Sequence, residues 1–252
     1  MTTLAEAILA VAPHLGSVYR STAQTGSSAT QIVDAALLAP AGLLTNGTVW
    51  ILSGTYAGKS GPVMGHSGDT ITFPTFGGAI VAGVAYAVTA SARRVLVQGV
   101  NDAAQELGEL TYIDNSLDTT AGEDEYELPD GVRNVVAVKL ADAHWITRFD
   151  VLQTGYLRFE DTPAAAYEIN LYYNKMHPQL VLDADELVPG VNLERFGWEA
   201  AECAYRVWLR EKGMPADDDP GVTLMNEAKD KAAKAGRHYT FRLPAPLALR
   251  GW

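Results

Sequence analysis

The chain has 252 residues, 48% apolar and 19% charged, a composition that excludes wholesale disorder and fits one large domain or two modest ones. Thirty acidic residues against 19 lysines and arginines give a formal charge of −11. So acidic a chain excludes a sequence-reading nucleic-acid binder, which gains affinity by releasing counterions from the phosphates it neutralises.

Thr3 with Glu6 three residues on predicts a capping box, and Leu4, Ile8, Val11 and Leu15 then share one face of a short amphipathic helix. No basic residue precedes Arg20, and Glu6, Pro13 and His14 interrupt the apolar stretch, so neither a signal peptide nor a membrane span is expected. Small polar residues from Thr22 to Ser28 read as a linker.

Between Gln31 and Ala90 the composition turns to Gly, Thr, Val and Ile with hardly any charge, and turn signals recur every eight to twelve residues. The expected strands are Gln31–Leu38, Thr48–Ser53, Ser60–His66, Thr70–Phe73 and Ala85–Thr89, a set that suits a small all-β barrel or sandwich. Asn46-Gly47-Thr48 is formally a glycosylation sequon and reads as a Gly-containing turn. Trp50, Tyr56 and Phe76 are either a sugar-stacking platform or core. Gly54 to Ser60 looks like a phosphate-binding loop, yet its glycines enclose three residues where four are needed. A strand-like Gly61-Pro62-Val63 follows in place of a helix, so a hairpin turn is expected.

Ser91 is expected to cap a helix in which Leu96, Val100, Ala103, Leu107 and Leu110 keep the helical period, with Gly108 near its end. Strands return at Thr111–Asp114, Glu125–Leu128, Val132–Leu140, His144–Phe149, Tyr156–Glu160 and Tyr167–Tyr173, and Asp118 to Asp124 is a polar loop. Leu193, Phe196, Ala200, Cys203, Ala204, Val207 and Trp208 then mark one face of a helix over 192–212, with Asn192 as N-cap. Cys203, the only cysteine, rules out a disulfide framework and reads as a small buried hydrophobe. A capping Asp before Pro220 opens a second helix over 219–236, whose thin stripe of Val222, Met225, Ala228, Ala232 and Ala235 completes an αα-hairpin. His238–Leu243 can add one strand. Pro244 and Pro246 then extend a tail whose Leu247, Leu249 and Trp252 are apolar, which reads as a partner-binding arm or as a tail packed on its own subunit.

Catalytic signals are absent. His14, His66, His144, His177 and His238 show no metal-ligand spacing, and Asp183, Asp185 and Glu186 lack the glycine and distant Glu of a calcium loop. No nucleophile elbow or HExxH appears, so no enzyme, cofactor or metal is expected.

Leu171-Tyr172-Tyr173-Asn174-Lys175-Met176-His177-Pro178, then Leu180 and the acidic run Asp183 to Leu187, precede the helix pair. An apolar strand with paired tyrosines, a His-Pro turn, an acidic segment and a C-terminal helix pair resemble the head-to-tail adaptor (connector, tail tubular A-like) proteins of tailed bacteriophages, over about the last third of the chain. The resemblance implies a non-enzymatic structural protein of the virion neck, made in the host cytoplasm. It also implies a homo-oligomeric ring, usually twelve-fold in that family, that contacts portal and tail or nozzle proteins and surrounds the DNA channel, with no membrane. The chain is then read as α+β: a helix-plus-sheet adaptor body of 1–28 and 91–243, an inserted β-domain of 29–90 and an extended arm of 244–252. The alternative is a virion surface or fibre-associated module whose β insertion recognises carbohydrate or a capsid neighbour.

Overall fold

The computed structural model describes residues 2–132, 134–140, 145–146, 148–187, 191, 193–213 and 219–238. Over these the protein is α+β, with four helices and four antiparallel sheets, none of which closes on itself. It divides into two compact units, Met1–Ala104 with Gln179–Trp252, and Gln105–Pro178. These cuts fall at other places than the boundaries drawn from the sequence: the strands of 29–90 share a unit with helices, and the later strands form a unit of their own.

The first unit opens with α1, Leu4–Leu15, held by the capping box its spacing predicts. Thr3 Oγ1 accepts from the Glu6 amide at 3.3 Å, and Glu6 Oε2 accepts from the Thr3 amide at 2.9 Å. Leu4, Ile8 and Val11 are fully buried. Seven strands follow: β1 (Val18–Thr22), β2 (Gln31–Val33), β3 (Thr48–Ile51), β4 (Ser60–Pro62), β5 (Gly65–Ser67), β6 (Thr70–Thr72) and β7 (Ala85–Thr89). They form one sheet of order β1-β7-β3-β4 and another of order β2-β6-β5. Ile32 and Ile71 of the second sheet share one apolar cluster with Val49, Ile51, Tyr86 and Val88 of the first.

Three strands depart from the sequence reading. β1 begins before the expected linker; its half-exposed VYRST carries no apolar alternation, and it is ordered by pairing along β7 from Val18↔Thr89 to Thr22↔Ala85. The Gln31–Leu38 strand stops at Val33 because the Asp34 carboxylate turns back to accept from the Ala36 amide at 2.9 Å. Ser60–His66 is two strands: the Val63 amide bonds to Gly47 O and the Met64 amide to Thr72 O, so the chain changes sheets between these residues. The Asn46-Gly47 turn is as expected. Asn46 takes φ 66°, and a Cβ on Gly47 would lie 2.0 Å from Thr89 O, which only glycine permits.

α2 (Arg93–Glu106) starts one residue later than a Ser91 cap implies: Ala92 O accepts from the Leu96 amide, while Ser91 O accepts from Thr48 Oγ1. α3 (Leu193–Lys212) and α4 (Pro220–His238) make the predicted hairpin, and Asp219 Oδ1 caps α4 through the Gly221 amide at 2.7 Å. A Cβ on Gly99 of α2 would meet Ala200 O and the Ala204 Cβ of α3 at 2.7 Å, so backbone contact between these helices depends on that glycine. Phe196, Ala200, Cys203 and Ala204 are buried as the period predicts; Leu193 is exposed, and Val207 and Trp208 are only half-buried.

Residues 179–187 tie the unit together. Asn101 exchanges two hydrogen bonds with the Leu180 backbone, at 2.7 and 2.9 Å. The Leu4 and Ala5 amides donate to Asp185 O and Asp183 O, and the Leu187 amide to Thr2 O. The Asp183 carboxylate accepts from Ser60 N at 2.8 Å, Ser60 Oγ at 2.7 Å and Arg93 Nη2 at 2.8 Å. The acidic turn thus joins α1, α2 and β4.

The second unit contains β8 (Glu109–Asp118), β9 (Glu125–Glu127), β10 (Asn134–Leu140), β11 (Trp145–Ile146), β12 (Phe149–Val151), β13 (Tyr156–Phe159) and β14 (Glu168–Met176). One sheet has the order β11-β10-β14-β8, the other β12-β13-β9. Val138, Leu140, Ile169 and Leu171 of the first share a core with Tyr126, Leu157 and Phe159 of the second. β8 runs past the predicted Asp114 because a register shift between Leu171↔Asp114 and Ile169↔Leu117 absorbs the polar Asn115-Ser116 and lets pairing resume. The expected His144–Phe149 strand is split between β11 and β12, which belong to different sheets. His144, the Asn192 cap and the 244–252 arm lie outside the described residues, as does the expected His238–Leu243 strand beyond His238, which ends α4.

Candidate interaction surface

The chemistry sought in the sequence falls in structural settings. Gly54 to Lys59 is the turn of the β3–β4 hairpin: Gly58 N donates to Ile51 O and Ile51 N to Lys59 O, with Gly54 and Gly58 at positive φ. Trp50 is 2% exposed, and its neighbours Val49 and Ile51 turn to the apolar cluster on the other side of the strand. Tyr56 and Phe76 pack against that cluster, Phe76 stacking on Phe73 with ring centroids 5.2 Å apart. The three aromatics are therefore not brought together on one open surface. Among the described residues no group of three His, Cys, Asp or Glu is placed to hold a metal ion, and no helix is long and apolar enough to cross a membrane. The tail residues Pro244, Pro246, Leu247, Leu249 and Trp252 lie outside the described residues.

Two polar nodes escaped the sequence reading. Asp34 is fully buried, its carboxylate accepting from Tyr86 Oη at 2.8 Å, Ala36 N at 2.9 Å, Tyr19 Oη at 3.2 Å and Gln24 Nε2 at 3.3 Å. Burial pushes its pKa up, but hydrogen bonds from Ser21, Tyr86, Ala36 and Tyr19 outweigh it and hold the acid below its usual range.

His14 stacks on Trp198 at 3.7 Å, and Lys231 of α4 lies 4.5 Å over the same indole. Burial, then the Lys231 charge, lowers the imidazole pKa below 6.5. The neutral ring is thus favoured in the folded state, and its contribution is present above pH 6.5. As pH falls through that value the unfolded chain binds the proton first and stability is lost. Melting temperature is expected to fall between pH 7.5 and 5.5, and His14→Gln to flatten that dependence; identical pH profiles for the two proteins would refute it.

One sheet face leaves large apolar side chains exposed. Tyr172 and Tyr173 are adjacent on β14, so they point to opposite faces. Tyr173 enters the core beside Tyr112, whereas Tyr172 lies between Ile113 of β8 and Ala137 of β10 on the outer face. Trp145 of β11 joins it with ring centroids 5.4 Å apart, and Lys139 stands 5.6 Å from the Trp145 ring. Ile113 is 61% exposed, Trp145 43% and Met176, four residues beyond Tyr172 on the same face, 44%. An apolar row across four strands is thus left to water, rimmed by Glu109 opposite Met176 and by Asp118 opposite Glu168. Its outward tyrosine is legible in the sequence, since one of two adjacent tyrosines on a strand must face away from the core. Its neighbours are not, because they arrive by long-range register.

Charge is divided unevenly as well. Residues 105–178 hold 14 acidic and five basic side chains, so this unit carries −9 of the chain's −11. No known protein family matches the chain, and no curated protein matches it.

Proposed function

We propose that this protein is a structural, non-enzymatic component of a tailed-phage virion, a head-to-tail adaptor that assembles as a ring between portal and tail around the DNA channel. The observation that carries the reading is the exposed Trp145–Tyr172–Ile113 row. Its central residue, Tyr172, lies at the start of the segment that bears the resemblance, and a monomer gains nothing by leaving such aromatic surface wet. The order of strand, His-Pro turn, acidic segment and antiparallel helix pair agrees with it. So does the concentration of negative charge in one unit, which suits a wall that DNA must slide past without adhering. The strands of 29–90 form the inserted β-domain of this reading, a small sandwich whose two sheets share one core, and they project outward from the ring. The carbohydrate-binding alternative has no observation in its favour, since its central aromatic, Trp50, is buried.

Negative-stain imaging of the purified protein, alone and mixed with portal protein, tests the reading. Closed rings, or rings that appear only on the portal, are expected. A monomer or trimer that ignores the portal and binds glycans would overturn it.

A further inference from the structure

The exposed row poses the question of what covers it. Its two ends are acidic, Glu109 at one and the Asp118–Glu168 pair at the other, in a unit of net charge −9. Docking the same face of a second copy about a two-fold axis would set acidic ends against acidic ends or against uncharged sheet, with Lys139 the one cation placed on it among the described residues. A nucleic acid is disfavoured by the same charges. The complementary occupant is an extended segment that combines apolar residues with cations and carries no acidic side chain.

This chain contains one. Residues 239–252 hold Arg242 and Arg250 and not one Asp or Glu, together with Tyr239, Phe241, Leu247, Leu249 and Trp252. Pro244 and Pro246 fix φ in the extended range, which reduces the entropy lost on docking. Fourteen extended residues reach roughly 45 Å, whereas the nine residues of β14 span about 30 Å, so the segment is long enough to cross the face from rim to rim.

We propose that residues 239–252 of one copy lie across the outer face of the β11-β10-β14-β8 sheet of a second copy. Trp252 and the leucines cover the Trp145–Tyr172–Ile113 row, and the arginines meet its acidic rim. The inference rests on the adaptor reading only in taking the partner to be another copy of the same chain. A head-to-tail contact of this kind is heterologous, the type that closes rings.

Two populations of the full chain test it, one affinity-tagged and carrying Ile113→Cys, the other untagged and carrying Trp252→Cys. Each has one new thiol, so a mixed disulfide dimer reports contact between copies and not within one. Val151→Cys, exposed in the same unit but on the β12-β13-β9 sheet, is the control partner for Trp252→Cys. Selective dimer formation at position 113 under mild oxidation is expected, slowed roughly tenfold when Arg242 and Arg250 are both changed to Glu. Equal yields at 113 and 151, no mixed dimer at either, or indifference to the charge reversal would overturn the proposal. Ile113 and Val151 are exposed, so unchanged melting temperatures verify folding. Selective cross-linking by a protein that never forms rings with portal would sink the adaptor reading alone; portal-dependent rings without it would sink the tail contact alone.

Discussion

Phe196→Ala is expected to destabilise the protein by about 3–5 kcal/mol, read as a lower urea midpoint at unchanged m-value. Phe196 is among the largest fully buried side chains, on the α3 face that also buries Ala200, Cys203 and Ala204. Those neighbours are small and their backbone is fixed by the helix, so they cannot collapse into the space a benzyl group leaves, and most of the cavity persists. Trp208, on the same stripe by sequence, provides the contrast. It is half-buried, with Lys212 Nζ 3.5 Å over its ring, and Trp208→Ala is expected to cost about 1–2 kcal/mol. Equal losses at the two positions would mean that the stripe is buried uniformly.

Asp34→Ala should cost a similar amount, about 3–5 kcal/mol, for a different reason. It removes the acceptor shared by Tyr86, Tyr19, Gln24 and the Ala36 amide and leaves the hydroxyl of the fully buried Tyr86 without it. It also releases the turn that ends β2. The pH dependence separates this from a simple cavity. Because the folded-state pKa of Asp34 is depressed, its stabilisation is present above the ordinary carboxylate value of 3.8 and is lost as pH falls through the lower folded value. Wild type should therefore approach the stability of Asp34→Ala on acidification below pH 4, as measured by chemical denaturation at pH 7 and pH 3. A constant gap between the two proteins would show that Asp34 does not act as a buried anion.

What the sequence disclosed is what local chemistry decides. The Thr3–Glu6 capping box, the Asp219–Pro220 helix start, the Asn46-Gly47 turn and the paired helices of 193–212 and 220–238 each depend on residues within a turn or two of one another, and each is present. What it concealed depends on distant partners. β1 is a strand because β7 lies beside it, and Val63 and Met64 part company because Gly47 and Thr72 draw them to different sheets. The same limit hid the interaction surface. Tyr172 could be seen to face outward, but that Ile113 and Trp145 flank it follows from register across four strands. Asp34 was invisible for another reason: a lone acid in a polar turn looks solvated until Tyr19 and Tyr86 are found on it.

The segment 179–187 joins parts of the first unit that are far apart in sequence, since Ser60 and Asp183 are separated by 123 positions. Its temporal meaning is that the unit of residues 105–178 leaves the ribosome whole while the other is still incomplete. At synthesis rates of 5–20 residues per second, the first 104 residues wait roughly 4–15 s for the segment that closes them. Throughout that interval α1 lacks the Asp183 and Asp185 carbonyls that receive its leading amides, and Arg93 lacks its carboxylate. The nested unit matures first and the discontinuous one last, so a released chain that ends at residue 178 should hold a protease-resistant β-sheet beside an N-terminal third that is still cleavable.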